Sequence, residues 1–347
     1  MQTQLVNSDC IKHLKTLDDN IFDSCVTDPP YHLTSIVKRF TNSTAAKGPL
    51  FNRLAKGFMG QKWDGGDIAF TTELWKEVYR VLKPGAVLLA FSATRNYHRM
   101  AVAVEDSGFE IFDMINWIYG SGFPKRKNYL KPAHEPIVMA RKGVNPSLNI
   151  EESRIPLEQD DKLQEGLTGR DGRKLDTTDT EGDWGFKALD REPGLGRYPA
   201  NVIHDGSEEV INEFKKFGED KGAKAPVKIE QGDFGFYDHK YNKRGDDGES
   251  FKGDTGTAAR FFYCAKASKK EKGDTKHPTV KPVALMRYLV KLVTPKQGIV
   301  LDPFAGTGTT GEACILENKK YYLIEREETY FKDIETRLNR YGGLGIW

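Results

Sequence analysis

Short apolar runs and stretches of helical period alternate along the first part of the chain and again along its last part. Ile21 to Thr27 is an apolar run that ends at Asp28-Pro29-Pro30-Tyr31. Two successive prolines can continue neither a ladder nor a helix, so a buried strand stops there and a loop follows. From Thr71 to Leu82 the residues Leu74, Trp75, Val78, Tyr79, Val81 and Leu82 recur at helical spacing. Lys83-Pro84-Gly85 ends that helix ahead of a buried strand from Ala86 to Phe91. A second helix over Tyr97 to Asp106 stops at Gly108, and Phe109 to Tyr119 reads as another apolar strand. Near the end come a strand over Phe261 to Ala265 and a helix over Val283 to Val293, opened by Pro282 and closed near Pro295. A strand over Gly298 to Leu301, a glycine-rich loop, a helix to about Leu316, a strand over Tyr321 to Ile324 and a helix from Glu327 to about Arg340 complete the pattern. Such alternation predicts an α/β fold with a doubly wound, mostly parallel sheet.

Between about Gly143 and Arg260 this pattern is lost. Gly, Asp, Lys and Glu dominate, and the only helical signal is Ser207 to Phe217. Trp184, Phe186, Tyr198, Phe234, Phe236 and Tyr237 still supply aromatic surface for fixed structure. No internal repeat is present. The sequence therefore divides into one discontinuous α/β domain, residues 1–142 with 258–347, and an inserted region, residues 143–257.

Composition narrows the classes that remain. The 347 residues contain no run of about 18 apolar positions, and Met1-Gln2-Thr3-Gln4 lacks a basic flank followed by an apolar stretch, so neither a membrane span nor a signal peptide is expected and a cytoplasmic location is. Cys10, Cys25, Cys264 and Cys314 form no CxxC pair, which suits reduced thiols and implies no metal. Lys plus Arg number 52 against 50 Asp plus Glu, a net charge of +2, so the total does not announce a nucleic-acid binder. Two local clusters do offer phosphate-binding charge: Lys125, Arg126, Lys127 and Lys131, and Lys266, Lys269, Lys270, Lys272 and Lys276.

Two loops carry candidate chemistry. Asp302-Pro303-Phe304-Ala305-Gly306-Thr307-Gly308-Thr309-Thr310-Gly311 follows a strand and opens a helix, so its backbone N–H groups can approach a ligand closely. Gly306, Gly308 and Gly311 spell GxGxxG, and Glu325 ends the next strand, where a carboxylate can accept from two ribose hydroxyls. Dinucleotide binding by an oxidoreductase is one reading of this loop. Few residues follow Glu325, so the rest of the sheet must come from earlier sequence, and the chain is permuted. Asp28-Pro29-Pro30-Tyr31 is then the candidate loop across the switch point.

The chemistry available at Asp28 follows from its neighbours. An exocyclic base amine is a poor nucleophile because its lone pair is delocalised into the ring. A carboxylate and an adjacent carbonyl, accepting from both amine hydrogens, favour a tetrahedral nitrogen and offset the charge that grows as it attacks a methyl sulfonium. Asp28 and the Pro29 carbonyl can serve, with Pro30 fixing the turn, and Tyr31 offers a face for a base rotated out of the duplex. No Pro-Cys dipeptide is present, so the thiolate chemistry of carbon-5 cytosine methylation is not indicated.

The order of these parts resembles the amino-methyltransferases of bacterial and phage DNA, in the permuted β-type arrangement. There the DPPY tetrapeptide comes first, a target-recognition region lies in the middle, and a motif like His277-Pro278-Thr279-Val280-Lys281-Pro282 precedes the FxGxG loop, here Phe304, Gly306 and Gly308. The resemblance covers roughly residues 4 to 142 and 258 to 341. It implies S-adenosylmethionine as cofactor and double-stranded DNA as partner. Contacts to the methionine moiety would fall to Thr279, Lys281, Asp302 and the loop of Phe304, Ala305, Gly306, Thr307 and Gly308. Ribose contacts would fall to Glu325, and adenine-ring contacts to Asp9 and Cys10, although Ser8 stands where the family often has Gly. Catalysis would fall to Asp28, Pro29, Pro30 and Tyr31. His134-Glu135 resembles a pair that opens a core strand, for which a structural role as buried polar residues is expected. Asp at the head of the tetrapeptide points to adenine N6, with cytosine N4 as the alternative. A homodimer and a cognate restriction nuclease are left open.

Three other classes compete. A nicotinamide-dependent oxidoreductase gives Asp28-Pro29-Pro30-Tyr31 and His277 to Pro282 no role. A DNA-binding module without chemistry has no need of the intact tetrapeptide. Glutamine methylation in proteins uses a related tetrapeptide headed by Asn.

Overall fold

The computed structural model describes residues 3–30, 67–122, 128, 130–143, 148–156, 196–218, 220–221, 255–265 and 280–342. In chain order the elements are β1 Gln4–Asn7, α1 Cys10–Leu14, β2 Phe22–Thr27, α2 Thr72–Val81, β3 Leu82–Phe91, α3 Tyr97–Glu105, β4 Glu110–Ile118, β5 His134–Arg141 and β6 Val202–His204. They continue with α4 Glu208–Lys216, β7 Asp220–Lys221, β8 Thr255–Gly256, β9 Tyr263–Cys264, α5 Val283–Val293, β10 Ile299–Asp302, α6 Thr309–Leu316, β11 Lys320–Glu325 and α7 Glu328–Asn339.

Nine of these strands form one sheet in the order β1-β11-β10-β2-β3-β5-β4-β6-β9. Every neighbouring pair is parallel except those of β5, which runs antiparallel to both β3 and β4. Parallel neighbours need a crossover, and here helices supply it: α2 leads into β3, and α6 joins β10 to β11. Strands covered on both faces should read as continuous apolar runs whose successive residues go to opposite sides. That division is visible residue by residue. Val26, Leu89 and Val300 pack with Leu285, Leu289, Ala313, Ile334 and Leu338 of α5, α6 and α7. Their neighbours Cys25, Leu88 and Leu301 pack with Leu14, Leu74, Trp75, Val78 and Met100 of α1, α2 and α3. One buried polar pair crosses the first layer: the hydroxyls of Ser24 and Thr294 lie 2.8 Å apart.

The chain leaves β10 toward β11 but leaves β2 toward β3, on the other side. β10 and β2 are themselves paired, Val300 with Ser24 and Leu301 with Cys25. Their carboxyl ends therefore meet at a topological switch point, the crevice where open α/β sheets bind ligands.

By compactness the chain falls into two units. One comprises Met1–Ser153, Pro199–Val210 and Tyr263–Trp347 and contains the nine-stranded sheet; the other comprises Arg154–Tyr198 and Ile211–Phe262. In the second, Ile155 bridges Arg197, the Arg154 guanidinium lies 4.3 Å from the Tyr198 ring centroid, and β7 pairs antiparallel with β8. Val202–His204, from within the stretch that lost its α/β pattern, is the strand that pairs β4.

Several elements differ from the pattern-based reading. Lys83-Pro84-Gly85 does not end helix α2 in a loop but lies inside β3, which begins at Leu82 opposite Phe22. The ladder shifts register between Phe22 and Ser24, which accommodates a proline that has no N–H to donate. The strand expected over Phe261 to Ala265 shrinks to Tyr263–Cys264, because Ala258–Phe261 is a 3-10 turn. Of the two basic clusters only Lys131 falls among the described residues, and its ammonium pairs with Glu209 at 2.7 Å. None of the four cysteines is joined in a disulfide. Among the described residues no helix is long and apolar enough to cross a membrane.

Candidate active site

The loop after β10 is shaped by two residues in the left-handed region, Gly306 at φ 55° and Gly308 at φ 79°. Gly308 has a second reason to lack a side chain: a Cβ there would sit 2.8 Å from Ile334 Cγ2 of α7. Asp302 ties the loop to both of its walls. Its Oδ1 accepts from the Thr27 hydroxyl of β2 at 2.7 Å and from the Phe304 N–H at 3.1 Å, and its Oδ2 accepts from the Thr310 hydroxyl at 2.6 Å. Burial pushes the Asp302 carboxyl up to about 6, against the pull of those three donors.

Glu325 ends β11 beside the same loop and is 8% exposed. Its Oε2 accepts from the Gly306 N–H at 2.9 Å and its Oε1 from the Glu327 N–H at 2.8 Å. Burial lifts its carboxyl to about 7, opposed by those two N–H groups. Two N–H donors leave capacity for further hydrogen bonds, since a carboxylate has about four acceptor sites. β1 is tied to the same strand end, because the Asn7 amide donates to the Glu325 carbonyl at 2.8 Å and the Ser8 N–H donates to it at 3.2 Å. Asp9 caps α1, accepting from the Lys12 N–H at 3.0 Å. The neighbouring Cys10 thiol is pushed up to about 12 by burial and by Asp9, so it stays protonated.

Across the switch point Asp28 follows β2. Its Oδ2 accepts from the Lys281 ammonium at 2.5 Å, and Lys281 also faces Glu135 Oε2 at 3.3 Å and the Phe91 ring centroid at 4.8 Å. Burial pulls the Lys281 ammonium down, but Asp28 and Glu135 outweigh it and hold the group at about 12. Lys281 is thus a permanent cation in a dry place, which is tolerable only with counter-charges in contact.

Most of the sequence-derived residues are brought together. Asp302, the Phe304 to Gly308 loop and Glu325 form one connected group, Asp28 and Lys281 form another, and Asp28 raises the Asp302 carboxyl from nearby. Tyr31, Thr279, His277 and Pro278 lie outside the described residues. The pair His134-Glu135 departs from expectation. His134 is exposed, whereas Glu135 is half-buried and finds its partner in Lys281. Sequence reasoning missed Glu135 as a site residue; its signal was a carboxylate heading the apolar run Ile137 to Ala140.

Two carboxylates, Asp28 and Glu135, face the Lys281 ammonium, and the Asp302 carboxyl lies near Asp28. That balance suits a cationic ligand and opposes a pyrophosphate, which weighs against the dinucleotide reading of GxGxxG. Fold and site together define an α/β group-transfer enzyme with the permuted order of the amino-methyltransferases. The chain belongs to the DNA methylase family, whose model matches residues 22–336, and it is a DNA methyltransferase. Type II methyltransferase M.HpaI of Haemophilus parainfluenzae is 23% identical over 341 residues, covering 98% of this chain and 75% of that protein. Type II methyltransferase M.HindIII of Haemophilus influenzae is 24% identical over 375 aligned positions, covering 96% and 94%. The solved structure of PvuII DNA methyltransferase (cytosine-N4-specific) matches with TM-score 0.51 at 14% identity, over 97% of this chain and 86% of that one, a likeness of fold.

Proposed function

We propose that this chain moves a methyl group from S-adenosylmethionine to the N6 amino group of adenine at specific sites in double-stranded DNA. The observation that carries the reading is Asp28, whose carboxylate ends β2 at the switch point with Lys281 bound to it at 2.5 Å. Bound S-adenosylmethionine supplies a methyl group activated by a sulfonium. The carboxylates of Asp28 and Glu135 beside the single charge of Lys281 fit such a cation.

The backbone of Phe304, Ala305, Gly306, Thr307 and Gly308 would cradle the cofactor, and Glu325 would accept from its ribose hydroxyls. Asp9 and Cys10 would border its adenine ring, and Lys281 and Thr279 its methionine moiety. Asp302, with three protein donors already bound, would act by fixing the loop.

The chain's chemical part is to hold the target amine. The Asp28 carboxylate and the Pro29 carbonyl would accept hydrogen bonds from its two N–H groups, which localises the nitrogen lone pair and offsets the developing positive charge. Pro29-Pro30 keeps the acceptors rigid, and Tyr31 would stack on the extruded base. The Asp at position 28 supports adenine, because the resembling adenine enzymes usually carry Asp where the cytosine enzymes carry Ser. Residues 143–257 would read the target sequence.

The test is to incubate the protein with S-adenosylmethionine and unmethylated DNA, digest to nucleosides and separate them by mass spectrometry. N6-methyladenine is the expected product. N4-methylcytosine alone would overturn the choice of base, and no methylated nucleoside would overturn the function.

A further inference from the structure

Glu135 and Asp28 both contact the Lys281 ammonium, at 3.3 and 2.5 Å. Lys281 is 7% exposed and is fixed from three elements: the end of β2 through Asp28, the start of β5 through Glu135, and the last residue of β3 through the Phe91 ring. Only Asp28 belongs to the transfer chemistry described above. Glu135 sits opposite Trp117 in the β4–β5 ladder, so its backbone position is set by the sheet.

We propose that Glu135 is a positioning residue for methyl transfer, holding Lys281 so that the Asp28 carboxylate is both aimed and left with net negative charge. The inference rests on the reading of Asp28 given above. Alone, Lys281 and Asp28 make a neutral pair, and an ammonium at 2.5 Å draws electron density from the oxygen it binds. With Glu135 sharing the cation, the trio carries net charge −1. Asp28 can then offset the positive charge that appears on the attacking amine, a contribution made only in the transition state. Loss of Glu135 should therefore appear in kcat and not in binding.

The experiment compares the intact chain with Glu135→Gln and Glu135→Asp on unmethylated DNA, measuring kcat, KM for DNA, the Kd of S-adenosylmethionine and the melting temperature. Glu135→Gln, isosteric and neutral, should lose about 10- to 100-fold in kcat with KM and Kd within about threefold. Glu135→Asp, which keeps the charge, should recover at least part of that loss. A kcat for Glu135→Gln within about twofold of the intact chain overturns the proposal, as does a loss confined to KM or an equal loss in both variants. If Glu135→Gln melts below the assay temperature, Glu135→Asp decides alone, and a tenfold loss there with its charge retained counts against the proposal. Transfer by the intact chain is the control: with it present, a null result removes the role of Glu135 only; without it, the underlying assignment of Asp28 fails first.

Discussion

Binding of S-adenosylmethionine should strengthen as pH rises through neutrality, and Glu325 is the reason. Its carboxyl, ordinarily near 4.5, is lifted to about 7 by burial. The protonated form is therefore favoured in the ligand-free fold up to neutral pH. Because the folded value is raised above the unfolded one, Glu325 costs the fold nothing at low pH. Its cost appears as pH climbs from 4.5 to about 7 and is complete above that, on the order of 3 kcal/mol at about 1.4 kcal/mol per tenfold. The ribose hydroxyls are donors and need the ionised carboxylate. About one-tenth of the groups are ionised at pH 6 and about nine-tenths at pH 8, so affinity should rise roughly tenfold between them. In Glu325→Gln the affinity should be weaker by roughly 1.5–3 kcal/mol at pH 8, the worth of a charge-assisted hydrogen bond, and its Glu325-dependent slope should vanish. Calorimetry of both proteins from pH 5.5 to 8.5 gives the comparison, and taking the difference removes the titration of the ligand's own amino group. Parallel pH dependence in the two proteins, or equal affinity at pH 8, would refute the assignment.

Asp28→Ala should abolish transfer while leaving the Kd of S-adenosylmethionine within a few-fold, read by nucleoside analysis and calorimetry; near-normal turnover would sink the mechanism. Gly308→Ala should lower stability by about 1–3 kcal/mol in thermal unfolding, since it adds a Cβ at φ 79° and 2.8 Å from Ile334; an unchanged melting temperature would mean that the loop and α7 shift freely. Replacing residues 143–257 with the corresponding region of a relative should change which sites are methylated, mapped by sequencing that reports modified bases. Retention of the same sites at the same rate would move recognition elsewhere, into the segment from His32 to Phe70.

Much of the catalytic layer was legible in the chain alone, because its signals are local. A strand buried on both faces must be apolar along its length, so Ile21 to Thr27 announced β2; Phe109 to Tyr119 announced β4 by its apolar residues, although only Ile115 of that strand is buried. The helix over Val283 to Val293 has the bounds its apolar period and flanking prolines implied. Loop chemistry is local too: proline ends β2 and glycine turns the loop after β10, so Asp28 and Gly306 to Gly308 could be named before their positions were known. Motif order then implied a permuted sheet, and the DNA methylase family match agrees.

What tertiary structure decided is which distant groups meet. Pro84 sits within β3 because the ladder with β2 shifts register there, a property of the pair that neither strand carries by itself. The carboxylate of Asp302 is consumed by Thr27, Phe304 and Thr310, an accounting that depends on β2 lying beside β10 across most of the chain's length. Glu135 read as a structural carboxylate because nothing in its neighbourhood of sequence mentions Lys281. Only the antiparallel return of β5 next to β3 sets it against that ammonium, and the energy of a buried charge depends on such neighbours in space.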